Sequence, residues 1–266
     1  MAVELSNEGT LACLNFPGRT SSPDDLPALI DAAEAGQGMV LLAHDGRGRQ
    51  GEHVAELARA LAYRTDVAMV AIRLPNSAAA VLRNAVMAVS ARVDLSHLPV
   101  LIRFLAGRLR TAAAVDSVAR MEVGSPTLLQ HMRSYLPKAC FAVRPGGKVV
   151  SGRHAALDAW RDLMTPVKVS AMCSALEAWP DQGRDFAGLL PARTPVMGSQ
   201  AGEAVKWWGS RNLVEVSWLD EDPAFVAQEV AALPLAACHN CGHGSNDPVC
   251  TFCRASLAGN PRERVS

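Results

Sequence analysis

The sequence predicts an α/β protein: a mostly parallel sheet covered by helices, a helical basic middle and a small C-terminal ribbon built on four cysteines. Three observations predict it. Short apolar runs alternate with amphipathic segments through the N-terminal third, the signature of βαβ units. The alternation resumes in the last third. Two C-x2-C pairs then stand near the end of the chain. With 266 residues, 49% of them hydrophobic and 20% charged, the chain can bury a substantial core.

The elements follow in order. Thr10 to Leu14 reads as a strand. Ser22-Pro23-Asp24-Asp25 opens a helix, with a capping serine, proline at the first position and acids in the first turn. Gly38 to His44 is a short apolar strand, Glu52 to Tyr63 an amphipathic helix, Asp66 to Leu74 another strand and Ser77 to Arg92 a helix. In the middle, Pro99 to Leu109 and Ala112 to Met121 read as two helices, and Ser125-Pro126 starts one running to about Tyr135. Ala139 to Val143 and Lys148 to Ser151, joined by Arg144-Pro-Gly-Gly147, form a β-hairpin. Arg153 to Met164 is helical, Val167 to Ser170 a strand, Ala201 to Trp208 a helix and Leu213 to Trp218 a strand. Asp222-Pro223 caps a last helix that Pro234 ends.

The strongest chemical signal is Cys238-His-Asn-Cys241 with Cys250-Thr-Phe-Cys253. Two C-x2-C pairs eight residues apart can aim four thiolates at one point, a closed tetrahedral S4 site suited to Zn2+. Gly242, Gly244 and Pro248 shape the turns beside it. A redox C-x-x-C or a disulfide pair fits less well, since two adjacent pairs favour one metal. The domain reading is therefore an α/β body over residues 1–233, with a subdivision near 95–165, and a zinc ribbon with a basic tail over 234–266. Cys13, Cys140 and Cys173 are isolated in sequence and read as small buried hydrophobes. The N-terminus has no basic segment leading into an apolar one, and no apolar run is long enough to span a bilayer. The expected compartment is reducing and cytoplasmic, with no membrane partner.

The formal net charge is zero, but the charges segregate along the chain. Residues 1–69 carry five Arg/Lys against ten Asp/Glu, residues 70–169 fourteen against five, and residues 170–250 four against ten. A basic middle between acidic flanks suggests a polyanionic partner. Arg103, Arg108 and Arg110 cluster, and Arg144, Lys148 and Arg153 surround the glycine-rich hairpin. If those faces coincide they track phosphates, with Gly146 and Gly147 allowing a backbone to approach closely. The bland alternative is a set of solvated positions on separate helices. Of the adjacent Trp207 and Trp208, at least one is expected in the core, since neighbours on a helix point about 100° apart.

Asp45-Gly46-Arg47-Gly48-Arg49-Gln50-Gly51 places G-x-G-x-x-G between an expected strand and helix, where Gly46, Gly48 and Gly51 would face a nucleotide phosphate. Arg73 ends the following strand where an NAD site wants an acid, and a flexible strand-to-helix loop is the simpler reading. G-x-S-x-G, H-E-x-x-H and the Walker A motif are all missing, so no catalytic residue is nominated.

Residues 238–259, CHNCGHGSNDPVCTFCRASLAG, resemble two known ribbons. One is the zinc module of bacterial recombination mediators, in which arginine follows the last cysteine as Arg254 does here. The other is the C-terminal ribbon of PP-loop tRNA 2-thiolation enzymes, with a tail like Leu257 to Asn260. The resemblance implies that Cys238, Cys241, Cys250 and Cys253 bind zinc, and it implies action on nucleic acids. The resulting expectation is a non-catalytic RNA- or DNA-binding subunit of a ribonucleoprotein or nucleic-acid-processing complex, with other protein subunits as partners. The alternatives are a nucleotide-dependent α/β enzyme using the 45–51 loop and a protein–protein adaptor.

Overall fold

The structure is a computed structural model, and it describes residues 2–5, 11–15, 39–44, 67–72, 74–121, 123–164, 170–175, 180–190 and 201–257. The chain divides into two compact units. The first comprises Met1–Arg73, Leu82–Gly107 and Glu221–Ser266, the second Leu74–Val81 and Arg108–Asp220.

In the first unit, β1 (Ala2–Leu5), β2 (Leu11–Asn15), β3 (Met39–His44) and β4 (Val67–Ile72) form a four-stranded sheet in that order. β1 runs antiparallel to β2, whereas β2, β3 and β4 are parallel, Leu11 opposite Val40 and Met39 opposite Val67. The runs MVLLAH and VAMVAI are nearly unbroken apolar sequence, the usual composition of parallel strands, and Ala68, Val70 and Ile72 are buried. Helix α1 (Asn76–Val89) follows β4 and crosses the division between the units. Two single 3-10 turns, Ser90–Arg92 and Leu95–His97, lead into α2 (Leu98–Arg108), whose Leu98, Leu101, Ile102 and Leu105 are fully buried. Helix α7 (Pro223–Ala231) returns to this unit, with the Asp222 carboxylate accepting from Ala224 N at 2.9 Å as its cap.

The second unit is built on β5 (Leu109–Val115), β6 (Phe141–Val143), β7 (Val149–Ser151), β8 (Ser170–Ala175) and β9 (Leu213–Leu219). The order is β7-β6-β5-β9-β8, and every pairing is antiparallel. The expected mostly parallel sheet is therefore corrected. The protein is α/β, but among the described residues only β2 to β4 are parallel, and β5 to β9 pair antiparallel throughout. Alternation of strand and helix in sequence does not fix strand direction once a hairpin such as β6–β7 enters the sheet.

Helices α4 (Arg153–Met164) and α5 (Pro180–Ala187) cover one face, where Trp160, Met164 and Phe186 pack on Ala112, Ala114, Ala142, Val214, Val216 and Trp218. The Trp160 indole N–H donates to the Phe186 carbonyl at 3.1 Å, and the two rings meet edge-on. Helix α6 (Ala201–Trp208) covers the other face, with Ala204 and Trp208 against Ala113, Val115, Phe141, Val143 and Leu213. The stretch from Ala112 to Met121, expected as a helix from its alanines, is strand as far as Val115. Alanine's helix preference amounts to less than about 1 kcal/mol per residue. Strands pair on both sides of β5, and small side chains there leave room for the facing tryptophans.

Candidate functional site

The C-terminal segment folds as two matching knuckles. In the first, Gly242 N donates to Cys238 O and Cys238 N to His243 O, both at 2.9 Å. In the second, Arg254 N donates to Cys250 O at 2.9 Å and Cys250 N to Ala255 O at 2.8 Å. The same two bonds at the same spacing mean that one turn geometry is used twice. The residue after each C-x2-C takes a left-handed backbone, Gly242 at φ +79° and Arg254 at φ +64°, the second at a steric cost glycine would avoid. Strands β10 (Ala236–Ala237) and β11 (Gly244–Ser245) flank the first knuckle, and a Val249–Ser256 bridge flanks the second.

The result is a cluster of four sulfurs within 4.8 Å of one another, from Cys238, Cys241, Cys250 and Cys253. Cys238 and Cys253 lie 3.5 Å apart and Cys241 and Cys250 3.6 Å apart, too far for disulfides and close enough to hold one metal ion. Burial pushes the Cys241 thiol up to about 12. It also pushes Cys253 upward, but hydrogen bonds from the Asn240 side chain and the Ala255 backbone, with those of Cys238 and Cys241, outweigh it and bring Cys253 down to about 6. Phe252, fully buried, stacks on His243 with ring centroids 4.1 Å apart. The ribbon is tied into its own unit: Gly244 N donates to Ser96 Oγ at 3.0 Å, Arg103 pairs with Asp247, and His97 Nε2 donates to Leu233 O at 3.1 Å.

A second polar cluster lies inside the second unit. Glu215 is fully buried on β9 and accepts from Ser77 N at 3.0 Å, from the Ser77 hydroxyl and from the Trp208 indole. The Ser77 and Ser217 hydroxyls are 2.6 Å apart, and Ser217 and Thr111 are 2.8 Å apart. Burial raises the pKa of Glu215 against the lowering effect of its Ser77 and Trp208 hydrogen bonds. Sequence reading missed this group. Its signal was a lone charge in the otherwise apolar and small run LVEVSWL, where alternation puts Glu215 and Ser217 on one face. Trp208 is thus a core residue of the Trp207–Trp208 pair.

Three of the six basic residues named from the sequence meet acids. Arg103 belongs to the first unit and pairs with Asp247, while Arg108, Arg110, Arg144, Lys148 and Arg153 belong to the second. Arg110 pairs with Asp220 at 3.1 Å and Arg153 with Asp185 at 2.5 Å, so acids from the flanking segments fold back onto the basic middle. Arg108 is half-buried at the end of α2. Arg144 and Lys148 close the β6–β7 turn through Arg144 N to Lys148 O at 2.8 Å. Gly147 does permit a close backbone approach, but to Gly124 of the same chain, whose Cα would lie 2.6 Å from a Cβ at 147. Gly46, Gly48 and Gly51 lie outside the described residues. Buried Cys140 has its thiol pushed up to about 12 by burial, which leaves it inert.

No family model matches the chain, and no curated protein does. Solved structures do. The fatty acid kinase B3 protein of Streptococcus pneumoniae, loaded with linoleic acid, is 11% identical with a TM-score of 0.50, covering 79% of this chain and 78% of that one. A fatty-acid-binding DegV family protein from Thermus thermophilus is 15% identical with a TM-score of 0.50, covering 75% and 78%. The likeness is one of fold, and it overturns the expectations drawn from the ribbon. A resemblance to recombination mediators and thiolation enzymes carried on twenty-two residues gives way to a DegV-type fold over three quarters of the chain. The C-x2-C spacing follows from tetrahedral metal geometry and recurs on unrelated proteins. The nucleic-acid-binding subunit, with its RNA, DNA and protein-complex partners, falls with it, because the fold neighbours are fatty-acid-binding proteins. No helix among the described residues is long and apolar enough to cross a membrane.

Proposed function

We propose that the chain binds a long-chain fatty acid and that its four cysteines hold one Zn2+ ion. The observation that carries the first part is the fold likeness, at TM-scores of 0.50, to two proteins described as fatty-acid-loaded or fatty-acid-binding. An acyl ligand asks for an apolar interior with a few polar groups to fix its acid end. Ser77, Thr111, Ser217 and Glu215 supply such a group on a sheet face that otherwise carries Ala113, Val115 and Leu213. With its pKa raised, Glu215 can share a proton with an incoming carboxylate instead of repelling it.

The zinc reading rests on the sulfur geometry. Zn–S bonds of about 2.3 Å in a tetrahedron put sulfurs about 3.8 Å apart, and the paired cysteines stand at 3.5 and 3.6 Å. Four protein ligands close the shell, so the ion would be structural. Displacement of a fluorescent fatty acid from the delipidated protein tests the ligand. A long-chain fatty acid should compete and Ser77→Ala should weaken it about tenfold, as loss of a hydrogen bond to a charged group does. No displacement by any acyl chain would refute the reading.

A further inference from the structure

The short helix α3 (Leu128–Arg133) is inside out. A capping box fixes its start: Thr127 Oγ1 accepts from Gln130 N at 3.3 Å, and Thr127 N donates to Gln130 Oε1 at 2.8 Å. Turns Tyr135 N to Met132 O and Leu136 N to Arg133 O carry it on to Leu136. At about 100° per residue, Leu128, Leu129, Met132, Tyr135 and Leu136 fall on one arc of roughly 120°. That arc faces water, with Leu128 78% exposed, Leu129 57%, Met132 62%, Tyr135 81% and Leu136 60%. The polar side faces the protein: Gln130 Nε2 donates to Val149 O at 3.0 Å, and Ser134 Oγ accepts from Val118 N at 2.9 Å. A soluble surface helix has the opposite arrangement, and apolar exposure this concentrated marks an interaction site.

Its surroundings are basic. From Val123 to Leu157 the sequence has no Asp or Glu but contains Arg133, Lys138, Arg144, Lys148 and Arg153. The β6–β7 turn that carries Arg144 and Lys148 is held beside this segment by Ser125 N to Gly147 O at 3.2 Å and Arg133 Nη1 to Ser151 Oγ at 3.0 Å. Arg133, Lys138 and Lys148 are exposed.

We infer that this face docks on an anionic lipid surface, with the five apolar side chains entering the acyl boundary and the basic residues meeting headgroup phosphates. A protruding apolar stripe among cations complements such a surface and differs from spanning a bilayer. The inference stands whatever ligand the protein carries.

Flotation of the full-length protein with vesicles tests it, comparing pure phosphatidylcholine with an equal mixture of phosphatidylcholine and phosphatidylglycerol. The wild type should float with the anionic vesicles and release at high salt. Leu128→Gln with Met132→Gln and Leu136→Gln should lower binding at least about tenfold, and Arg144→Ala with Lys148→Ala by a similar factor on anionic vesicles only. Should the triple variant misfold by circular dichroism, Tyr135→Ser replaces it and should weaken binding in the same direction. Failure of the wild type to float would overturn the inference, as would unchanged binding by both variants. A wild-type dimer that floats with neither vesicle and becomes monomeric in the triple variant would assign the face to a second copy of the chain and overturn it as well.

Discussion

Replacing Glu215 with glutamine keeps the side chain's size and removes its ionisation. The carboxamide oxygen can still accept from the Ser77 amide and hydroxyl, but its NH2 then faces the Trp208 indole N–H, donor against donor. One buried donor left unsatisfied costs about 1–3 kcal/mol, so the variant should be less stable by that amount at pH 4. The pH dependence carries the sharper test. Burial raises the folded-state pKa of Glu215 above its ordinary value of 4.5. The folded state therefore holds the proton more tightly than the unfolded chain. The stability this gives is fully present below the ordinary value and is lost as pH rises toward the folded value, at up to about 1.4 kcal/mol per pH unit. Glutamine has no such dependence. In urea denaturation at half-unit pH steps, the gap between wild type and variant should narrow from pH 4 upward and then stop narrowing once the folded value is passed. A gap that stays constant from pH 4 to 8 would refute the claim that burial raises the pKa of Glu215.

Further outcomes follow from single contacts. Cys238→Ser or Cys253→Ser should abolish stoichiometric zinc, read by metal analysis of protein purified without chelators. Arg254→Gly, which removes a side chain from a left-handed position at φ +64°, should raise stability by about 0.5–1 kcal/mol in thermal melts of the zinc-loaded protein. Gly209→Ala should cost at least about 2–3 kcal/mol in denaturant, since its Cβ would lie 2.2 Å from the Arg120 carbonyl oxygen and φ is +66°. Trp160→Ala should cost about 3–5 kcal/mol, because a fully buried indole and its bond to Phe186 O are lost together.

Much of the local structure was readable from residue order. The Arg153–Met164 and Ala201–Trp208 helices, the Arg144-Pro-Gly-Gly147 turn and the Asp222-Pro223 cap are set by neighbours in sequence, and each stands where the pattern put it. The helix begun at Ser22-Pro23 and the one from Glu52 to Tyr63 lie outside the described residues. Strand direction in the second sheet was not readable, since pairing β5 with β9 joins residues a hundred positions apart. The alanines of β5 misled for the same reason: their intrinsic preference is small beside two ladders of non-local hydrogen bonds. Charge was a partial guide, because Asp185, Asp220 and Asp247, from the acidic segment that follows, meet Arg153, Arg110 and Arg103 of the basic stretch. The cysteine cluster was readable because two C-x2-C turns eight residues apart suffice to bring four sulfurs together. Glu215 was not, because nothing in the sequence places Ser77 beside it.

Native mass spectrometry of the freshly purified, full-length protein tests the central claim most directly. The account predicts a main species heavier than the bare chain by one zinc ion and one long-chain carboxylic acid, with the acid identified after solvent extraction and the metal removed by a strong chelator. A spectrum of the bare chain alone, unchanged after incubation with zinc and a long-chain fatty acid, would contradict it.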